Sequence, residues 1–347
     1  MLRKPFFLLL SSSLLLVACD NSQPETSEQH SQEPDQQLEN NNQSQDDQLV
    51  NLSPVQQVSE IDLDVLLADS QESESNSFTV SDETQNNQSG IDYSQYASID
   101  EVIQDLIREY KFPSDQLGIM YSNFVTDENF ELNPDWIIHA ASTNKVGSAA
   151  MFIDLIESGE LSWDSQIPFS EDYYEEGAGN ITNNPFESSY SLEDLIYNSI
   201  VFSDNTAWNT LINYYSNNYG SFQHALIEKS GISQVSDEIY NLNYGSPRSL
   251  NEILKQVATD PKYEKLVAYM GMAQPNIRFR LHVDEGMATK YGQYEEGYHD
   301  TGIYFENGEP VYTLVLMSRS LGMIDSFMGD LNLRVNEWYH YQESKNS

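Results

Sequence analysis

Apolar and polar positions divide this chain into three stretches. An apolar run from Pro5 to Val17, broken only by Ser11, Ser12 and Ser13, follows Arg3 and Lys4. A polar stretch then runs from Asp20 to about Gly90, with one patch apolar enough for a short helix or weak docking, Ile61 to Ala68. Regular periodicity begins after that. Ser98-Ile-Asp-Glu101 is a capping-box pattern, and Val102, Leu106 and Ile107 follow at helical spacing, which predicts a helix to about Tyr110, before Pro113. Leu117 to Tyr121 predicts a strand, Asp127-Glu128-Asn129 a turn, and Trp136 to His139 a tight segment. Ser142 to Ile156 carries Val146, Ala149, Met151, Phe152, Ile153 and Leu155 on nearly all sides, the pattern of a buried helix. Ser191-Leu-Glu-Asp194 caps another helix, and Thr206 to Tyr215 predicts a further one. His299 to Phe305 and Val311 to Met317 are strand-like and flank Asn307-Gly308, a hairpin signal. A last helix from about Ser326 to Tyr341 aligns Phe327, Leu331, Val335 and Trp338. Strands at both ends with helices between predict an α+β fold. Its antiparallel sheet is built from both ends of the domain, flanked by helices, with an inserted helical lobe.

The N-terminal run is too short to span a bilayer and ends in small residues, so residues 1–18 read as an export signal. Leu16-Val17-Ala18-Cys19 resembles the lipobox of bacterial lipoproteins, which implies a diacylated Cys19 as the first mature residue. Cys19 is the sole cysteine, so no internal disulfide forms. Each buried acyl methylene adds about 0.8 kcal/mol of membrane affinity, so two or three chains tether the protein. Residues 19–95 read as a disordered acidic stalk. Between Asp20 and Gly90 lie 16 acidic residues and no Lys or Arg, and such a segment buries too little apolar surface to offset chain entropy. The domain proper spans 96–347, 252 residues, enough for one sizeable core. Of the formal net charge of −39, about −25 falls on this domain. That excludes nucleic acid as a partner and disfavours anionic lipid; an acidic surface stays soluble in a salty or alkaline exterior. Tether and charge together predict a monomer at the extracellular face of the cytoplasmic membrane.

Ala141-Ser142-Thr143-Asn144-Lys145 contains Ser-x-x-Lys at the head of the buried helix. The spacing puts Lys145 one turn from Ser142 on the same face, with the helix N-terminus favouring negative charge beside the serine oxygen. A serine hydroxyl needs an adjacent base, and lysine serves when burial lowers its pKa by several units. Ser203-Asp204-Asn205 lies between two helices; it has the form of an N-cap, and its hydroxyl could also relay a proton while its amide hydrogen-bonds both a substrate carbonyl and Lys145. Lys290-Tyr291-Gly292 precedes the hairpin. A lysine on a strand edge, followed by a glycine that permits close backbone approach, suits a substrate carboxylate and an acyl group along the strand.

These three elements occur in the order and form that make the domain, about residues 96 to 345, resemble the class A β-lactamase and penicillin-binding-protein superfamily. Ala140-Ala141 before the nucleophile, Thr206-Ala207 after the second element and His299-Asp-Thr-Gly-Ile303 after the third add to the likeness. The resemblance implies Ser142 as acylated nucleophile, Lys145 as base, Ser203 as proton shuttle and Asn205 as substrate amide ligand. Lys290 would bind the substrate carboxylate, and the N–H groups of Ser142 and Gln293 would hold the oxyanion. Tyr291 departs from the pattern, because the family carries Thr or Ser there; Arg278 or Arg280 would be replacement cations. The deacylating segment departs too. In Glu238-Ile-Tyr-Asn-Leu242-Asn243, aligning Leu242-Asn243 puts Ile239 at the family's glutamate, and Glu238 serves only if the loop bulges. Slow turnover of an acyl-enzyme is therefore expected. No cofactor is implied and no zinc pattern is present; His139 and His299 read as packed or exposed side chains. Two functions remain: a hydrolase acting on β-lactams or related amides and esters such as D-alanyl peptides, and a non-catalytic lipoprotein that binds cell-wall peptide.

Overall fold

A computed structural model describes residues 89–346, apart from 234 and 235. The export signal, Cys19, the Ile61–Ala68 patch and most of the stalk lie outside the described residues. The helix expected after Ser98 is α1 (Ile99–Tyr110). Ser98 Oγ accepts from Glu101 N–H, and the Glu101 carboxylate accepts from Ala97 N–H, one residue earlier than a full capping box would place it. The chain leaves through Lys111 in the left-handed region and enters β1 (Leu117–Asn123), then β2 (Asn129–Leu132) and the short β3 (Ile138–His139).

The middle of the chain forms the helical lobe. It contains α2 (Lys145–Glu157), the one-turn α3 (Asn180–Asn183), α4 (Leu192–Val201), α5 (Asn205–Tyr219), α6 (Phe222–Ser230), α7 (Pro247–Thr259) and α8 (Glu264–Met272). Two small pairings stitch its loops: β4 (Gln166–Pro168) with β5 (Ser189–Ser191), and β3 with β6 (Tyr244–Gly245). The chain then returns to the sheet as β7 (Met287–Tyr294), β8 (Gly297–Glu306) and β9 (Glu309–Ser318), and ends in α9 (Asp325–Asn346).

The sheet runs β2-β1-β9-β8-β7 and is antiparallel throughout. Strands from both ends of the domain therefore meet at β1 and β9, with Ile119 opposite Leu316. Alternation of side chains splits the core in two. Met120, Ala288, Ile303, Val315 and Met317 pack against the lobe through Phe152, Leu195, Leu211 and Leu250. Ile119, Tyr121, Leu314 and Leu316 pack the other face against α1 and α9 through Ile103, Leu106, Phe327, Leu331 and Trp338.

Two boundaries differ from the sequence expectation. Residues 89–95, expected in the stalk, pack on the domain: Tyr93 is buried, its hydroxyl donates to Glu337 at 2.8 Å, and its ring lies 6.2 Å from that of Trp338. An aromatic with a polar tip anchors a segment that composition alone reads as solvated. The buried helix does not begin at Ser142. Residues Ala141–Asn144 form a 3-10 turn, and the α-helix starts at Lys145. The cause is Ala141, held at φ 52°, which turns the chain sharply out of β3.

Candidate active site

The site forms where the edge strand β7 meets the head of α2 and the α4–α5 loop. Gly292 makes the approach possible. A side-chain carbon there would sit 2.9 Å from Ala140 O and 3.0 Å from Ser142 N. Two histidines buttress the Ala141–Asn144 turn. His139 Nδ1 accepts from Ala141 N–H at 3.2 Å. His299 Nε2 lies 3.1 Å from His139 O, and its Nδ1 accepts from Ser318 N–H at 3.1 Å, so the Nε2–H tautomer fits. Burial pushes His299 down to about 4, which keeps it neutral. Sequence reading treated both histidines as bystanders; the contacts that give them a positioning role cross from β3 to β8.

Lys145 is 1 % exposed, and among the described residues it has no ion pair. Its Nζ donates to Ser203 O at 2.7 Å and Asn205 Oδ1 at 2.9 Å, and lies 3.4 Å from Ser203 Oγ. The Trp208 ring, 5.7 Å from Nζ, closes another side. Burial lowers this amine to about 7, against the opposing charges of Asp204 and Glu175. Ser142 is half-buried, and among the described residues its hydroxyl has no hydrogen-bond partner; Lys145 turns toward Ser203 and Asn205 instead.

The second element resolves how one tripeptide does two jobs. Asp204 is the N-cap of α5, accepting from Ala207 N–H at 2.9 Å, and it also accepts from Ile181 N–H, Thr182 N–H and Thr182 Oγ1. Its two neighbours are thereby freed to face Lys145. Ser203 takes φ 57° to do so. Asn205 also donates through Nδ2 to Glu176 O at 3.2 Å, which ties the 171–179 segment over the site. In that segment Glu175 brings a carboxylate into the field of Lys145, a residue no motif marked.

Lys290 has no exposed surface. Its Nζ donates to Ser203 Oγ at 3.0 Å and Tyr291 O at 3.0 Å, so both lysines converge on one hydroxyl. Burial, with Lys145 and Arg278 adding repulsion, holds this amine well below the usual lysine range. With Tyr291 O directed off the sheet edge toward Lys290 Nζ, period-two alternation turns the Gln293 N–H outward as well, along the edge that faces Ser142. Ser142 N–H likewise has no acceptor among the described residues.

The substitute groups considered from sequence separate clearly. Arg280 is structural, bonded to Asp284 at 2.6 Å and to the carbonyls of Gly271 and Ala273. Arg278 reaches the site region, with its guanidinium carbon 4.7 Å from the Tyr291 ring centroid. Glu238 makes no hydrogen bond to Ser142 or Lys145 among the described residues. It is exposed in a 3-10 turn, Asp237–Tyr240, and lines a surface cavity with His139, Tyr244 and Tyr294, while Ile239 is fully buried.

A profile of the β-lactamase enzyme family matches residues 98–338. Comparison with curated proteins finds no match. Among solved structures the chain is similar to PBP-A, at 18 % identity and a TM-score of 0.59, over 70 % of this chain and 96 % of that one. It is also similar to a β-lactamase from Sphaerobacter thermophilus, at 18 % identity and 0.57, over 72 % and 98 %. A β-lactamase from Burkholderia vietnamiensis gives 16 % identity and 0.58, over 72 % and 99 %. These likenesses establish the α+β fold, and with the family match over most of the domain the chain belongs to the β-lactamase enzyme family.

Proposed function

We propose that this protein is a serine acyl-transfer hydrolase working through a Ser142 acyl-enzyme on amides or esters, the class that includes β-lactams and D-alanyl peptides. One observation carries the reading: a buried lysine with no carboxylate partner among the described residues, held near neutrality, shares the hydroxyl of Ser203 with a second buried lysine. Burying two amines side by side is costly, and a site that merely holds peptide has no need of it.

In this reading the Ser142 hydroxyl turns to the neutral Lys145 amine and gives up its proton as Oγ attacks the carbonyl carbon. Catalytic hydrogen bonds commonly tighten only once substrate is bound, so the open Ser142–Lys145 geometry is compatible with this step. The oxyanion is stabilised by the N–H groups of Ser142 and Gln293. Ser203, between the two lysines, passes a proton from Lys145 to the leaving group as the tetrahedral adduct collapses, and Asn205 orients the acyl amide. Deacylation lacks an obvious base, since Glu238 is exposed in its own turn and Ile239 is buried; the acyl-enzyme therefore persists. Cys19 carries the lipid that tethers the domain outside the cytoplasmic membrane, with the acidic stalk as spacer.

The separation of Ser142 from Lys145 is what favours the second reading, a peptide-binding lipoprotein without turnover. Intact-mass spectrometry of the domain separates the two. After mixing with an activated uncharged ester, and separately with benzylpenicillin, the expected result is an acyl adduct with at least one donor, decaying over minutes or longer and absent from Ser142→Ala. No adduct from either donor would favour the binder.

A further inference from the structure

Tyr291 stands where the family resemblance calls for a small hydroxyl, and its ring lies beside two basic side chains. The centroid is 3.9 Å from Lys290 Nζ and 4.7 Å from the guanidinium carbon of Arg278. Both contacts fall within the range of a cation held over an aromatic face. Both side chains are buried, and Arg278 Nε, 3.9 Å from the Asp325 carboxylate, has no hydrogen-bond partner among the described residues. Lys290 spends N–H bonds on Ser203 Oγ and Tyr291 O, and the ring covers it from a third direction. Arg278 is 4 % exposed and packs its guanidinium 4.0 Å from the Tyr298 centroid as well. Its NH1 donates to His299 O at 2.9 Å and lies 3.4 Å from Gly292 O. A carboxylate arriving along the β7 edge therefore meets a phenol ring rather than ammonium or guanidinium N–H groups. The surface it must cross is hostile as well. About −25 of formal charge lies on the domain, and the charges of Glu175 and Glu295 reach Lys145 and His139 at the mouth of the site.

We propose that Tyr291 is a specificity-determining residue that closes the carboxylate subsite, so that Ser142 is acylated preferentially by uncharged esters and amides over donors with a carboxylate beside the scissile bond. The inference rests on the acyl-transfer reading above and narrows its substrate class. Removing the ring uncovers Lys290 and Arg278 without supplying a new charge, so the effect of a substitution falls on the preference between donors.

The test compares one depsipeptide ester as the free acid and as its methyl ester, measuring kcat/KM for acylation. The unmodified protein is expected to favour the methyl ester by about tenfold or more. Tyr291→Thr should cut that preference by about tenfold, and Tyr291→Phe, which keeps the ring, should retain it. Equal use of both esters by the unmodified protein overturns the inference, and that result needs no variant to fold. A preference unchanged within about twofold in a folded Tyr291→Thr also overturns it. Labelling of Ser142 by a fluorophosphonate, run alongside, separates the two readings: labelling with no ester preference removes only the inference, and no labelling removes the acyl-transfer reading with it.

Discussion

Ser203 is the residue where the most constraints meet. It sits in the left-handed region at φ 57°, is buried, offers its carbonyl to Lys145 and lies with its hydroxyl between Lys145 and Lys290. A non-glycine residue keeps that conformation only when its surroundings hold it there, and here Asp204 and Lys145 do so. Ser203→Ala keeps the backbone acceptor and removes the oxygen proposed to relay the proton. Acylation is then expected to slow by roughly 100-fold or more, with thermal stability little changed; stopped-flow acylation with an activated ester measures the first and a melting curve the second. Asp300 shows the same control of charge by position. Buried beneath the site, it is pushed up to about 6 by desolvation while Arg278, the N–H groups of Phe279 and Thr301, and Lys290 pull the other way.

At the scale of elements, the site depends on loops brought close by glycine. Gly179 takes φ 116°, and a side-chain carbon there would lie 2.1 Å from Asp204 Oδ2 and 2.3 Å from its Cβ. Gly179→Ala should cost roughly 3 kcal/mol and lower the melting temperature by about 6–12 °C, because it strains the backbone and displaces the carboxylate that caps α5. Calorimetry checks this. The reach of sequence reasoning follows the same division. Ser142, Lys145, Ser203 and Lys290 were legible because three short motifs fix their order, and the sheet was legible from the Asn307-Gly308 hairpin and the capped α1. The Tyr291 stack was not, because it needs Arg278, delivered by the 3-10 turn Arg278–Leu281, to meet β7 and β8 in space. The bond between the Asn205 amide and Lys145 was legible too; that Lys145 takes it, and the Ser203 carbonyl, in place of Ser142 was not, because hydrogen-bond competition decides that and spacing does not. The docking of Tyr93 on α9 escaped because one aromatic in a polar stretch carries no periodicity.

Over the whole molecule, two effects on Lys145 oppose each other. The acidic domain, with a formal net charge of about −25, favours the ammonium form, and Asp204 and Glu175 are its nearest expressions. Enclosure of the amine between the lobe and the sheet favours the neutral form, and at about 7 it wins by several units over the ordinary 10.5. Surface charge is screened by salt and burial is not, so the balance holds as ionic strength rises. The sign for activity follows: below about 7 the amine is protonated and cannot accept the Ser142 proton, and above it the base is ready. The pH dependence of the Ser142 acylation rate, followed with an uncharged activated ester in about 0.5 M salt, tests this directly. The expected profile rises with pH through a midpoint near 7 to a plateau, and Lys145→Met removes the rise. A rate that stays flat from pH 5 to 9, or that climbs only near the ordinary lysine range, would contradict the account.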